Sequence, residues 1–487
     1  MKSGLGDLTR IFAMAMTLLL VACGTERVDS DPTPKGEGAV ILQIVAPDLW
    51  PPSAELRLEL TRGPPGGLAE VVGSYNKVPE RLKVIAIHDT PAWVGAQLVD
   101  AQGNIVAVGR TVARVIADDD PDRQETLFLH GKDKALPLYR ANGQPLALKA
   151  RVGSTATVVN DGTVVVIGGG SPVSTSPCHG GSPTALSDEL LGLAGHNHSI
   201  ELLANLKMAR AYHQAASLPG GRIGVFGGYS TGGVSADVEV FQVNQKTLAP
   251  SASPLQFARA RHCIVALDNR VVVIGGDGPG AQNAEIWRYG EGSIGSTTLY
   301  APRRHPHCEL VTNPADGALL IFVIGGLSPS GFPVQYDEVL KLDGDTLLNY
   351  GTLVPPNPLA ALEVASAINA PFGIFRAGGL TSIGATDRMT WIDMTAPTTT
   401  WKQGPALSEA RGCAAQGRVG VHLIAAGGLT GSQNNHSSAL DSIDLANKSA
   451  KSVGLPMARA GGWIITKGDG VALIGGGTSA GMVSFVP

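Results

Sequence analysis

Val164–Gly169 reads V-V-V-I-G-G, and the same hexapeptide returns at Val271–Gly276, 107 residues later. Four apolar residues in a row, bounded by a turn signal, read as a short strand covered on both faces. The glycine pair that ends each run suits a backbone turn or close approach that other residues resist. Five more apolar runs end the same way, at Gly227-Gly228, Gly325-Gly326, Gly378-Gly379, Gly427-Gly428 and Gly475-Gly476. Successive pairs are 59, 48, 50, 53, 49 and 48 residues apart. A chain with 63 glycines in 487 residues supplies glycine pairs by composition, but composition does not supply a period. The hexapeptide therefore marks a structural repeat.

A second element recurs upstream of the pairs: A-R-V-G-S (150–154), A-R-A-Y-H (209–213), A-R-A-R-H (258–262), R-R-H-P-H (303–307), A-R-G-C-A (410–414) and A-R-A-G-G (458–462). Taking Arg151, Arg210, Arg259, Arg304, Arg411 and Arg459 as the repeat arginine, it stands 16 or 17 residues before the glycines in five repeats and 21 before them in the fourth. An insertion around 313–318 accounts for the longer interval. The fifth repeat, with A-L-E-V-A at 361–365, has no arginine there. Downstream come a loop, a third strand such as D-V-E-V-F-Q-V (237–243) or A-E-I-W-R-Y (284–289), and a short fourth strand such as T-T-T-W-K (398–402).

Four strands in about 50 residues is the signature of one propeller blade. On these glycines and arginines, residues 150–487 resemble a kelch-repeat, galactose-oxidase-like propeller. The expected fold is all-β: a seven-bladed kelch-type propeller over 134–487, preceded by a small β-sandwich. The chain ends in the third strand of repeat seven, so the strand-like segment 135–140 is expected to supply the missing outer strand and close the ring.

Residues 39–133 have a different texture. Short strands at 39–46, 55–61, 82–87, 93–100, 104–112 and 125–130, with a hairpin turn at 101–104, suggest an immunoglobulin- or fibronectin-like sandwich. Residues 23–38 are polar and proline-containing and read as a flexible tether. Before them, Lys2 and Arg10 precede a 12-residue apolar run, Ile11–Ala22, too short to span a membrane, which takes about 20 residues. L-V-A-C (20–23) resembles the lipobox of bacterial lipoproteins, which implies a signal peptide over 1–22 and lipid on the Cys23 thiol. The remaining cysteines, Cys178, Cys263, Cys308 and Cys413, would then sit in a disulfide-permissive compartment, with three pairings open.

With a net charge of −4, the chain has no basic excess for nucleic acid. In an up-and-down blade the glycine pairs and the repeat arginines crowd one mouth of the channel. The six arginines could form a positive ring for an anionic ligand, or could each cap carbonyls and pair with an acid inside the fold. His213, His262 and His307, read as one repeat position, favour packing over a metal site, because ligands must converge on one ion. No H-E-x-x-H or phosphate-loop motif occurs, and no cofactor is expected. The expected function is binding: an exported lipoprotein, anchored in the cell envelope through Cys23, whose propeller face takes a protein or glycan partner. Loop 170–187 would contribute to that face. The competing expectations are an epimerase- or oxidase-like enzyme acting on a small sugar, and a structural scaffold without a ligand.

Overall fold

The structure is a computed structural model. It describes residues 37–46, 57–63, 68, 70–77, 82–87, 93–111, 123–159, 162–172, 184–194, 198–249, 252–334, 336–353, 367–370, 373–381, 384–394, 401–431, 435–466 and 470–487. Cys23 and the segment 1–36 lie outside these, as do 173–183 of the long loop. The fold is all-β with many small sheets, an arrangement that fits a β-propeller.

Seven four-stranded antiparallel sheets follow one another along the chain. Their first strands are Thr155–Val158, Gln214–Leu218, Cys263–Leu267, His307–Thr312, Ala367–Ala370, Ala415–Val419 and Gly462–Thr466. Each first strand packs beside the next, and the seventh packs beside the first, so the seven close into a ring.

The V-V-V-I runs are the second strands of sheets one and three. Their four side chains are at most 2% exposed, and alternate members face opposite neighbours. Val164 and Val166 pack with Leu473 of sheet seven, while Val165 and Ile167 pack with Ile223 and Phe241 of sheet two. A strand sandwiched between sheets has no polar face, which is why its apolar residues run on without alternation. Full burial of such a side chain stabilises by about 1.5–3 kcal/mol.

The glycines couple the sheets. Both members of each pair take positive φ, at Gly168-Gly169, Gly227-Gly228, Gly275-Gly276, Gly325-Gly326, Gly378-Gly379 and Gly427-Gly428. In the seventh sheet the turning pair is Gly476-Gly477, with φ of 67° and 73°. This corrects the expected pair by one residue: Gly475 stays in the strand. The second glycine of a pair donates its N–H to the carbonyl of the next repeat's arginine, Gly169 to Arg210 (2.9 Å), Gly228 to Arg259 (2.8 Å), Gly379 to Arg411 (2.8 Å) and Gly428 to Arg459 (2.7 Å). The series closes on itself, because Gly477 donates to Arg151 of the first repeat at 2.8 Å.

The seventh sheet joins a strand that precedes the first of the seven sheets to the strands of the last. Leu136–Pro137 pairs antiparallel with Val483–Phe485 as its outer strand. Leu138 N–H to Met482 O (2.8 Å) and Asp133 N–H to Val486 O (2.7 Å) extend the seam. Ahead of it, a three-stranded sheet containing Glu37–Val45 and a five-stranded sheet containing Arg57–Gly63 share one core, with Leu42 and Leu127 from the first meeting Leu58, Leu60 and Leu98 from the second. One strand of the larger sheet, Glu70–Tyr75, goes unread in the sequence because it lies at the edge, largely exposed, and carries no alternation.

Removing residues 482–487 deletes the third strand of sheet seven and the partner of 136–137. Limited proteolysis should then lose the resistant ring fragment that the full chain yields; an equally resistant truncated ring would contradict closure at this seam.

Candidate functional site

Each repeat arginine is built into the fold. Arg210 donates to Gly227 O (2.8 Å) and to Glu239 Oε1 (2.5 Å). Arg259 does the same with Gly275 O (2.8 Å) and Glu285 Oε1 (2.6 Å). Arg411 reaches Asp441 Oδ2 (2.6 Å) and Ala425 O (3.1 Å), and Arg151 reaches Glu189 and Gly168 O. The acids Glu239, Glu285, Glu338 and Asp441 share one register position on the third strand, opposite the residue two before the first glycine. Each also accepts a backbone N–H from the residue three before the arginine: Lys207 (2.7 Å), Gln256 (2.7 Å), Tyr300 (2.8 Å) and Ser408 (3.0 Å). One carboxylate thus fixes both the arginine and the linker that delivers it.

Two expectations are corrected here. Arg151, Arg210, Arg259, Arg411 and Arg459 are at most 6% exposed, so they do not form a ligand-facing ring; their guanidiniums are turned into the sheets. In the fourth repeat the buried arginine is Arg303, on Gly325 O (2.7 Å) and Glu338 Oε1 (2.6 Å), while Arg304 is part-exposed and pairs with Asp277. The histidine position shifts with it. His213 and His262 pack against the first glycine of the preceding repeat, and Pro306 takes that place in the fourth. His307 stands one residue on and pairs with Glu309. His213 holds Thr155 Oγ1 at 2.9 Å, and burial, then the charge of Arg210, lowers its pKa to about 3.

The position that varies is two residues after the arginine, where the chain enters the first strand. Tyr212, Arg261, His305 and Cys413 all hold positive φ there, between 51° and 54°, and Gly153 and Gly461 occupy it in two other repeats. These residues hand backbone bonds around the mouth: Tyr212 N–H to Gly153 O (2.7 Å), Arg261 N–H to Tyr212 O (2.8 Å), His305 N–H to Arg261 O (3.1 Å) and Gly461 N–H to Cys413 O (3.1 Å). A side chain in this left-handed region costs about 1–3 kcal/mol relative to an unstrained backbone. Glycine would remove that strain, yet four repeats keep a functional group.

Two of those groups, Tyr212 and Arg261, meet the residues that follow the glycine pairs of repeats two and three. Asp277 accepts Tyr229 Oη–H (2.6 Å), Arg261 Nη1–H (3.2 Å) and Arg304 Nε–H. The Arg261 guanidinium lies 4.3 Å from the Tyr212 ring centre and 5.3 Å from that of Tyr229, and the two rings sit edge to face. Burial works to raise the Asp277 pKa, but hydrogen bonds from Arg304 and Tyr229 outweigh it and hold the carboxyl below its usual range. Burial, then the bond to Asp277, pushes Tyr229 up to about 12, so its phenol stays protonated at neutral pH. The cluster is aromatic-walled and half-buried at Tyr212, Tyr229 and Arg304. Such a surface suits hydrogen-bonding and anionic groups presented beside a flat or apolar face.

Sequence reasoning missed this cluster because it fixed on the constant arginine. The usable signal was chemical variation inside a constant frame, the Gly, Tyr, Arg, His, Cys, Gly series at one offset. Of the cysteines, Cys263 and Cys308 join the first strands of sheets three and four, with Cα atoms 5.8 Å apart. Cys413 is also disulfide-bonded.

No family model matches the chain, and no curated protein matches it. Among solved structures, one titled "Structure of YjhT" is similar at 14% identity and a TM-score of 0.45, covering 63% of this chain and 98% of that one. That likeness says nothing of ligand or activity.

Glu285→Gln keeps the shape of the side chain and removes the charge opposite Arg259, both being fully buried. Breaking a buried pair on one side costs about 3–5 kcal/mol, read as a lower denaturant midpoint; Glu291→Gln, on an exposed pair, should change stability by less than about 0.5 kcal/mol. His213 adds a pH dependence. Its pKa falls from 6.5 unfolded to about 3 folded, so the unfolded chain binds the extra proton and stability drops as pH falls from about 6.5 toward 3. In His213→Asn the denaturant midpoint should fall less steeply over that window; an unchanged slope would assign the acid sensitivity elsewhere.

Proposed function

We propose that the protein is an exported, membrane-anchored binding module: a seven-bladed kelch-type propeller behind a small β-sandwich, tethered through lipid on Cys23. Seven four-stranded sheets in a closed ring support the blade count, and the shared core of the two N-terminal sheets supports the sandwich. The observation that carries the binding role is the mouth cluster of Tyr212, Tyr229, Arg261, Asp277 and Arg304. It places distinct polar chemistry at a strained backbone position whose frame is otherwise constant, and backbone strain of this kind clusters at functional surfaces. The partner is a protein or glycan that presents hydrogen-bonding or anionic groups to Arg304 and a flat face to the tyrosines.

The test uses residues 24–487 as bait on intact envelopes. A component retained by the native bait should be lost with Tyr212→Ala/Arg304→Ala and kept with Arg288→Ala, a charge removed far along the strand from the mouth. Equal retention by all three baits would overturn the mouth as the binding surface. In the full-length chain, fatty-acid labelling and membrane partitioning should both disappear with Cys23→Ala.

A further inference from the structure

One repeat breaks the arginine–acid rule. Arg459 is 1% exposed, and its nearest acceptor is Ile474 O, 3.4 Å from Nη1. Its Nε has no hydrogen-bond partner, and no carboxylate pairs with it among the described residues. Burial alone pushes its pKa down, with no acid opposing.

The register shows what is missing. In sheets two, three, four and six the acid stands opposite the residue two before the first turning glycine. In sheet seven that glycine is Gly476, the residue two before it is Ile474, and the residue opposite is Val483, which is buried. The companion donor is gone as well. Where Lys207, Gln256, Tyr300 and Ser408 offer a backbone N–H to the acid, the residue three before Arg459 is Pro456, which has none. Acceptor and second donor have been lost together, while the cation has been kept.

A guanidinium does not deprotonate in a protein, and a buried charge is retained only when something compensates it. We infer that the seventh sheet binds a small monovalent anion of the halide class at Arg459, in the place that the carboxylate side chain fills in sheets two, three, four and six. Valine is shorter than glutamate by the carboxylate, and a halide is close in size to that group. With one guanidinium and no backbone N–H from Pro456, the site offers too few donors for a sulfate or phosphate. Because Val483 also pairs with Pro137, the anion sits on the strand that joins the two ends of the ring. Binding there stabilises the closed form by mass action.

The experiment takes residues 24–487 in two measurements. In crystals grown with bromide, an anomalous peak is expected within hydrogen-bond reach of the Arg459 guanidinium and none beside Arg259 of the same molecule. The thermal midpoint should rise by several degrees when gluconate is exchanged for chloride at constant ionic strength. Val483→Glu restores the carboxylate and should abolish both signals; Arg459→Met should abolish the chloride response whether or not the glutamate variant folds. Ordered water in place of bromide at Arg459, or a chloride response that survives Arg459→Met, overturns the assignment.

Discussion

A guanidinium enclosed between a carboxylate and a glycine carbonyl is the contact on which the first four repeats depend. It ties three separate parts of a sheet together: the linker that carries the arginine, the turn after the second strand and the middle of the third strand. The arginine's own carbonyl then accepts from the preceding sheet's second glycine. A buried ion pair of this kind adds little net stability over a well-packed apolar pair of the same size. What it contributes is registry. Hydrophobic contact between flat sheets tolerates sliding, whereas a guanidinium held at once by a carboxylate and a backbone carbonyl does not.

The fifth sheet shows that the fold can meet the same requirement another way. Thr390 stands at the acid's register position, opposite Arg376 on the second strand. Arg376 donates to Thr390 Oγ1 (2.7 Å) and lies over the Trp401 ring at 4.3 Å. Trp401 in turn donates to Asp337 Oδ2 (2.9 Å), an acid of the fourth sheet. The cation has moved from the linker into the sheet, and its counter-ion into the neighbour. The closing tryptophan of this repeat is thereby held by a charge that its own sheet does not supply.

Much of the architecture was legible because it is periodic. The strand before each glycine pair, the arginine upstream and the strand near 135–140 all announced themselves by spacing. The errors fall where the repeated residue type is itself duplicated. In R-R at 303–304 either arginine satisfies the pattern, and only the carbonyl reached by Arg303 decides between them. In G-G-G at 475–477 the turning pair is fixed by backbone φ. His307 was aligned by identity with His213 and His262, when the packing position is Pro306. The mouth cluster was illegible for a different reason. Tyr229 and Asp277 come from separate repeats, 48 residues apart, and nothing local in the sequence brings them together.

The seam between 136–137 and 483–485 has a consequence for biogenesis. A chain made from its N-terminus must wait for residues 483–485 before the seventh sheet can exist. Until then six sheets form an open arc whose end faces, such as Val164 and Val166 of the first sheet and Ile424 of the sixth, lack the apolar cover that the seventh provides, the kind of surface that drives misassembly. The order of synthesis therefore exposes the arc until 483–485 have been made. An elongating chain of this design depends on what shields it in that interval, and 483–485 act as a latch that ends the exposure.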